Sequence, residues 1–509
     1  MQLLDRFNFA KINGLLACFC LGFLVRLIPE VLAYPCPVGF DTVDYAFTVK
    51  SGVVWPHWSC FFTYSWLFPA FSTLLYNVFG GDAFMLLKVL APLLFGLNAA
   101  GVFWFADKML GWTKQLSLLA GVFFAFQLAS LRISWDLFRN TLGMAIMLFA
   151  LPFIKTVNTK RGFTCLTVLS LLTVFAHEFT AACLLFTVAG FALMAMVEKK
   201  GLVNVGRLLL AVLPALAVFA LSVYLRLHPL RYEVETNVAA AGDVVEANVG
   251  GAFFLVDYLS VKTSVDLYGS YIELLWSVAA LFCLLYLPII YLVWKGFFKE
   301  PTLNFWTLLL TVGAFGCLVS PFCALLYWHR WMFMLVYPFT FYAVNGFQKC
   351  LHGDGLRLPG RKALGMVLAS AFVGCAYLAT PLLMNTVNVG VFSLNPVNRY
   401  ISFAPTVPYE DVENVKQAMV WLDMNMDGES CVLLQHALFS WGRLYLGGEH
   451  FLVHFETDVD LAVETAYRHG YSRIFFVWWN KPIGWYGVTV PESFRRHVDF
   501  GRISVYTYV

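Results

Sequence analysis

Charge is what this chain has least of. Asp, Glu, Lys and Arg make up 13% of its 509 residues, against 60% hydrophobic and 17% aromatic residues. A soluble domain carries about 25% charged residues to keep its surface in water, so the bulk of this chain must be solvated by lipid. The net charge of +3 is close to neutral and by itself says nothing about nucleic acid, and no basic face interleaved with aromatics appears, so no nucleic-acid partner is expected. The twelve cysteines include no C-x-x-C pair, which leaves a zinc or redox motif without support. Most of them, including Cys18, Cys20, Cys165, Cys183, Cys283 and Cys375, lie within apolar runs. Cys36 and Cys60 share the first outer loop, where a disulfide on an oxidising side and two free thiols fit equally well. No repeat, low-complexity tract or small-residue cleavage site stands out. The apolar run Ile12–Leu24 behind Arg6 and Lys11 therefore reads as an uncleaved first helix.

Long apolar runs are what the chain has in abundance. A spanning helix takes about 20 residues, and candidate runs fall at Ile12–Leu32, Phe84–Ala106, Gln115–Leu131, Thr141–Ile154, Phe163–Ala176, Thr180–Val197, Leu208–Leu225, Tyr271–Trp294, Leu303–Tyr327, Trp331–Phe347 and Ala363–Met384. That predicts about eleven spans. The run Trp66–Phe79 is shorter and contains Pro69, and is expected to lie in the outer interface. With a cytoplasmic N-terminus, the inner loops hold Lys108, Lys114, Lys155, Lys160, Arg161, Lys199, Lys200, Arg207, Lys295, Lys299, Lys349, Arg357, Arg361 and Lys362. The outer loops are poor in lysine, and the longest, over 226–270, is acidic through Glu233, Glu235, Asp243, Glu246, Asp257 and Asp266. Counting Trp66–Phe79 as a span would place every later basic loop outside. The expected fold class is mainly α, a polytopic transmembrane helical bundle in the cell membrane.

After Met384 the pattern changes. A helix over Tyr409–Met426 precedes strands at Cys431–Gln435, Phe451–Phe455, Arg473–Trp478 and Arg502–Tyr508, with helices at Ala437–Leu446 and Asp458–His469. This alternation predicts a C-terminal α/β domain. The chain thus divides into a transmembrane body over 1–384 with outer loops 33–82 and 226–270, a linker over 385–408, and a small soluble domain over 409–509. An odd number of spans puts that domain on the extracytoplasmic side.

Ionisable side chains inside a membrane are costly and mark function by default. Here they gather at the outer helix ends: Arg26 and Glu30, Lys88, Arg132 with Asp136 and Arg139, His177 with Glu178, and His329 with Arg330. Singly, each has a plainer reading. Arg26 and Glu30 have the i, i+4 spacing of a structural ion pair, His177–Glu178 suits a helix end at the interface, Arg139 can snorkel, and Trp478–Trp479 suits core packing. Their convergence on one side favours a site. The sharpest segment is YPCPVGFDTVDYAFTVKS over Tyr34–Ser51, where Asp41 and Asp44 stand three apart on a loop framed by Pro and Gly.

These motifs, in this order, resemble the GT-C superfamily of membrane glycosyltransferases, which includes oligosaccharyltransferase catalytic subunits and protein mannosyltransferases. The resemblance rests on RLIPE (Arg26–Glu30), the G-F-D loop ending at Asp41, an interfacial helix ending at Phe79–Gly80, a helix with Lys88 near its start, SWDLFRNTLG (Ser134–Gly143), HRWMFMLVYP with Arg330, and a tail helix with Trp421–Asn425. It implies a polyprenyl- or dolichyl-phosphate-linked sugar as donor, and a protein, lipid or glycan as acceptor on the outer side. It also implies Asp41 as general base, usually with inversion, and Arg330, Lys88 and Arg139 as partners of the departing phosphate. Asp44, Asp136, His177 and Glu178 are then candidates to orient the acceptor or hold Mg²⁺ or Mn²⁺. The tail has no WWDYG, and the second loop offers Asp136 without a paired acid, which argues against transfer to asparagine. Asp41 is followed by Thr42, in neither the D-P nor the D-E form.

Two other classes use many helices. A transporter or lipid flippase needs ionisable groups at the midplane and broken helices in matched halves, neither of which this sequence offers. A non-catalytic surface scaffold would use the tail to bind a partner and make the acids incidental.

Overall fold

The computed structural model describes residues 14–52, 54, 58–63, 65–198, 202–228, 237–241, 270–319, 328–352, 360–383, 407–480 and 488–509. The acidic stretches of the loop 226–270 and most of the linker 385–408 lie outside the described residues. The chain is mainly helical, with a bundle of apolar helices followed by a C-terminal α/β domain.

The bundle opens with α1 (Gly14–Leu32), followed by the short amphipathic pair α2 (Thr42–Ser51) and α3 (Leu67–Phe79). Next come α4 (Ala83–Lys108), α5 (Lys114–Ala125), α6 (Leu128–Asp136), α7 (Phe138–Ala150), α8 (Lys160–Ala176), α9 (Glu178–Val197) and α10 (Leu202–Leu227). After the long loop come α11 (Tyr271–Tyr286), α12 (Ile290–Gly296), α13 (Pro301–Phe315), α14 (Trp328–Met334), α15 (Val336–His352) and α16 (Gly360–Leu378). Among the described residues seven helices are long and apolar enough to cross a membrane, or nine if the bent pairs α5–α6 and α11–α12 each count as one. The other two expected spans fall on the 17-residue α8 and on the broken pair α14–α15. The bend of 75° between α11 and α12 falls at Pro288, which has no N–H to continue the ladder. The expected interfacial run forms α3, 13 residues long and too short to span.

Helix starts carry the side-chain acceptors that orphan N–H groups need. Asp82 accepts from Phe84 N–H at 2.6 Å, and Thr159 from Gly162 N–H at 2.9 Å. At the end of the bundle where α8 begins, the basic loops hold one another together. Lys155 contacts the Met109 carbonyl, Arg207 donates to the Asn158 carbonyl at 3.1 Å, and Lys349 to that of Lys295 at 3.3 Å.

In the tail, α17 (Val412–Asn425) leads into β2 (Ser430–Gln435), α18 (His436–Tyr445), β3 (Phe451–Phe455), α19 (Val459–Arg468) and β4 (Arg473–Trp479), with β5 (Phe494–Phe500) and β6 (Ile503–Tyr508) closing the chain. The sheet order is β1-β3-β2-β4-β6-β5, parallel from β1 to β4 and antiparallel beyond. Two strands went unforeseen. β5, with Arg495, Arg496, His497 and Asp499 exposed or half-exposed, has little apolar alternation to reveal it. β1 (Val238–Ala240) comes from the long loop 226–270 and pairs with β3, so the bundle contributes an edge strand to the tail's sheet.

Two hydrophobic cores result. One lies within the bundle, around residues such as Phe95, Trp135, Leu148, Trp306 and Tyr337. The other joins Val43, Ala46 and Val49 of α2 and Leu87 of α4 to Leu438 and Trp441 of α18 and the tail's strands. Polar contacts fix the same junction. Lys50 donates to the Leu444 carbonyl near the C-terminus of α18 at 2.8 Å, and Arg443 pairs with Asp44 at 3.0 Å. Cys36 and Cys60 are not joined to each other by a disulfide, and Cys36 Sγ approaches the Tyr409 carbonyl at 3.8 Å.

Between the cores lies a buried ionic chain. Arg26 pairs with Glu30 at 2.8 Å, and Glu30 with Lys88 at 3.1 Å. Removing a carboxylate that serves two buried cations leaves both without their counter-charge. Glu30→Gln is expected to destabilise the fold by about 3–5 kcal/mol, read as a fall in the thermal midpoint in detergent. A midpoint unchanged from the parent would show that the chain is incidental to the fold.

Candidate active site

The loop Tyr34–Asp41 is positioned from below by the end of α6. Arg26 donates through Nε to the Ser134 carbonyl and through Nη2 to that of Trp135, both at 3.2 Å. These carbonyls belong to the last turn of α6 and have no partner within the helix. The adjacent Asp136 is held by Arg132 at 2.5 Å, and its other oxygen accepts the Phe40 N–H at 2.7 Å. Gly39 lies against this floor with φ of +92°, and a Cβ there would stand 2.6 Å from the Asp136 Cβ and 2.8 Å from the Trp135 carbonyl oxygen. Glycine is thus required twice over, by conformation and by space.

The next residue after Phe40 is Asp41, at the N-cap of α2. Aspartate at an N-cap ordinarily accepts an amide N–H, but Asp41 makes no such bond. Its carboxyl instead faces a polar cavity of about 190 Å³. Asp41, Tyr45, Ser65, Leu137, Arg139, Asn140, His177, Glu178 and Arg330 line that cavity. Burial, then the neighbouring Asp136 charge, raises the Asp41 pKa to about 6, against the opposing pull of Arg330. The group is therefore largely ionised at pH 7, yet a far better proton acceptor than an exposed aspartate.

The other walls come from helix ends. Arg139, on the first turn of α7, lies over the Tyr45 ring at 5.3 Å. His177 ends α8 and begins α9. Its Nδ1 accepts the Phe179 N–H at 3.2 Å, and burial lowers its pKa to about 4, so it is neutral at pH 7 with Nε2 carrying the proton. Glu178 accepts from the Ser65 hydroxyl. Asn140 donates to the Met334 sulfur at 3.6 Å.

Of the residues singled out in the sequence, Asp41, Arg139, His177, Glu178 and Arg330 share this cavity. Three do not line it. Lys88 is buried against Glu30 and donates to both its carboxylate and its carbonyl at 3.1 Å, so its charge is engaged there rather than at a phosphate. Asp44, one turn along α2, points to Arg443 of the tail. Asp136 is occupied by Arg132 and the Phe40 amide, and acts on the site by holding the loop and by its charge. Ser65 and Asn140 escaped sequence reasoning. Asn140 sits inside the quoted R-N-x-x-G run, whereas an isolated serine after the aromatic segment gives no signal.

A pocket of this size is smaller than the roughly 300–1,000 Å³ of sites for drug-sized ligands. It suits one small polar moiety, such as a phosphate or a single sugar. The expected divalent ion finds poor accommodation. Among the described residues, no three His, Cys, Asp or Glu donors around the cavity reach ligand spacing, whereas two such groups occur on the tail. Arg139 and Arg330 would also oppose a second cation.

The chain is similar in fold to an archaeal oligosaccharyltransferase. Two solved structures from Archaeoglobus fulgidus align with it. One carries a tethered acceptor peptide containing the NVT sequon, with a TM-score of 0.47, 10% identity, and coverage of 92% of this chain and 70% of that chain. The other is AglB in complex with an inhibitory peptide and a dolichol-phosphate, with a TM-score of 0.46, 11% identity and the same coverage. No family model and no curated protein matches the sequence.

The loop geometry makes Gly39 a sensitive probe of the site. Gly39→Ala is expected to cost at least about 1–3 kcal/mol through its positive φ alone and to displace Asp41 from the cavity. The measurement is thermal stability together with the solvent accessibility of a cysteine placed at position 41. A variant with the parent's stability and accessibility would refute the positioning role of Gly39.

Proposed function

We propose that the protein is a membrane glycosyltransferase that moves a sugar from a polyprenyl- or dolichyl-phosphate donor to an acceptor at the outer face of the bilayer. The observation that carries this reading is that a carboxyl of raised proton affinity, Asp41, shares one small polar cavity with Arg139 and Arg330 at the end of an apolar bundle. Transfer from a phosphate-linked donor needs these two groups of opposite function in one place. The Asp41 carboxylate takes the proton from the acceptor's nucleophilic oxygen or nitrogen as that atom attacks the anomeric carbon. The bond between that carbon and the phosphate oxygen breaks, its electron pair leaves with the lipid phosphate, and the guanidinium groups stabilise the charge that grows there. Attack opposite the leaving group gives inversion. Neutral His177 and the Glu178 carboxylate stand where they would hydrogen-bond the acceptor or the sugar hydroxyls.

The lipid tail of such a donor stays among the apolar helices, and its headgroup meets the interface. The reading puts the cavity and tail on the extracytoplasmic side of the cell membrane and the basic loops in the cytoplasm, supported by the lysine and arginine bias of those loops.

Mass spectrometry of the co-purified lipid identifies the donor with which turnover is assayed. Asp41→Asn should fold and bind that donor but lose turnover by about 10²–10⁴-fold. In the parent, kcat/KM should fall as pH drops through about 6, because protonation removes the base. Arg330→Gln removes a positive charge that holds Asp41 down, so its acidic limb should move to higher pH while donor affinity weakens by about tenfold or more. An Asp41→Asn enzyme that keeps its turnover, or a parent profile flat between pH 5 and 8, would end this reading.

Sidedness is tested separately with a membrane-impermeant maleimide on intact cells. Gly448→Cys, with open space around the position, should label from outside, and Lys362→Cys only after permeabilisation. The reverse pattern would move the cavity to the cytoplasm and exclude the outer-face assignment.

A further inference from the structure

Three titratable side chains converge where the tail meets the acid loop, and the proposed transfer uses none of them. His436 opens α18, directly after β2 ends at Gln435. His454 and Glu456 lie at the end of the neighbouring parallel strand β3, two residues apart and hence on one face. His436 Nδ1 is 3.3 Å from His454 Nε2 and 3.5 Å from Glu456 Oε1, and His454 Nε2 is 3.8 Å from the same oxygen. With metal–nitrogen bonds of about 2.0–2.1 Å, two tetrahedral ligands stand about 3.3–3.4 Å apart. The histidine pair already has that spacing, and the carboxylate oxygen needs only a small side-chain rotation to join it.

The supports around these groups are those a metal site needs. Gln435 Nε2 donates to the Glu456 carbonyl at 3.0 Å, and its Oε1 accepts the Ala437 N–H at 2.7 Å, which ties the ends of β2 and β3 together. The His454 ring packs on Phe439 with centroids 4.7 Å apart, and the His436 ring stacks on Phe40 at 5.8 Å. Each ring thereby has an aromatic neighbour that restrains it on one side. The tail's other acid–histidine group, Asp423, Glu449 and His450, differs in kind. There a single histidine stands with two acids, His450 Nε2 lies 3.2 Å from the Asp423 backbone carbonyl, and the Asp423 carboxylate is engaged by the Gly447 N–H at 2.6 Å.

We propose that His436, His454 and Glu456 form a binding site for a divalent transition metal of the zinc class, with three protein ligands and an open fourth position. Two neutral imidazoles and one carboxylate suit zinc over magnesium or calcium, which prefer an all-oxygen shell. The bound ion would lock α18 to β3 and fix His436, on which Phe40 of the acid loop rests. The site stands apart from the cavity and does not depend on the transferase reading.

The test uses the full-length protein in detergent, purified without a polyhistidine tag, stripped with chelator and titrated with zinc chloride against a chromophoric competitor. One equivalent should bind, and cobalt(II) at the same site should show the intense visible bands of a tetrahedral ion. His436→Ala and His454→Ala should each weaken zinc binding by at least about 100-fold, and Gln435→Leu, which removes only the support, by about tenfold. Asp423→Asn should leave binding unchanged. Thermal melts without metal check that each variant folds, and His436→Gln replaces any alanine variant that does not. A parent that binds no more zinc than the His436→Ala, His454→Ala double variant overturns the site, as does loss of binding on Asp423→Asn instead.

Discussion

Arg26 has no access to solvent, and a guanidinium keeps its proton under all ordinary conditions, so the fold must surround it with acceptors. It finds three: the carbonyls of Ser134 and Trp135, and the Glu30 carboxylate. The first two are the unpaired carbonyls of α6, which have no water to turn to within a bilayer. One side chain thus satisfies a helix end while its own charge is met by Glu30, which in turn meets Lys88. Helices α1, α4 and α6 are locked at one level by this chain. The Trp135–Asp136 step held there is the surface on which Gly39 and Phe40 lie, so the position of Asp41 follows from the burial of Arg26.

The acid loop is also held from above. Helix α2 places Val43, Ala46 and Val49 in the core shared with the tail, and α18 answers with Leu438 and Trp441. Asp44 and Lys50 on α2 meet Arg443 and the Leu444 carbonyl on α18. A loop that carried its acids only for solubility would not be buried from both sides. Because β1 from the long loop pairs with β3, tail and bundle meet through β1 as well as through α2. The tail backs the acid loop from behind α2 without lining the cavity itself.

Much of this was legible in the sequence, and the reason differs from element to element. The membrane class and the helical bundle with its α/β tail follow from long apolar runs and from a change of period after residue 384, signals that tertiary context rarely overturns. β3 was foreseen at its observed limits because Phe-Leu-Val-His-Phe is an apolar run between turn residues. β1 was not, since three residues carry no period and become a strand only through β3. At the site, single polar residues in apolar surroundings were visible, and five of them share the cavity. Beyond the i, i+4 pair of Arg26 and Glu30, the sequence did not reveal the partner of each charge. Lys88 and Arg330 look alike as lone cations near outer helix ends, and only the fold puts one beside Glu30 and the other beside Asp41.

Pairing is also what separates the three aspartates. Asp136 has an arginine at 2.5 Å and an amide on its second oxygen, so both oxygens are engaged and what it exports is negative charge. Asp44 has Arg443 and partial exposure to water. Asp41 forgoes the capping bond its position offers, lies in a desolvated pocket, and feels the charge of Asp136. Burial and the Asp136 charge raise its proton affinity, to a pKa of about 6, against the opposing charge of Arg330. A carboxyl poised there is ionised at neutral pH and still able to hold a proton through a transition state. Identity in the sequence does not distinguish the three; the company each keeps does.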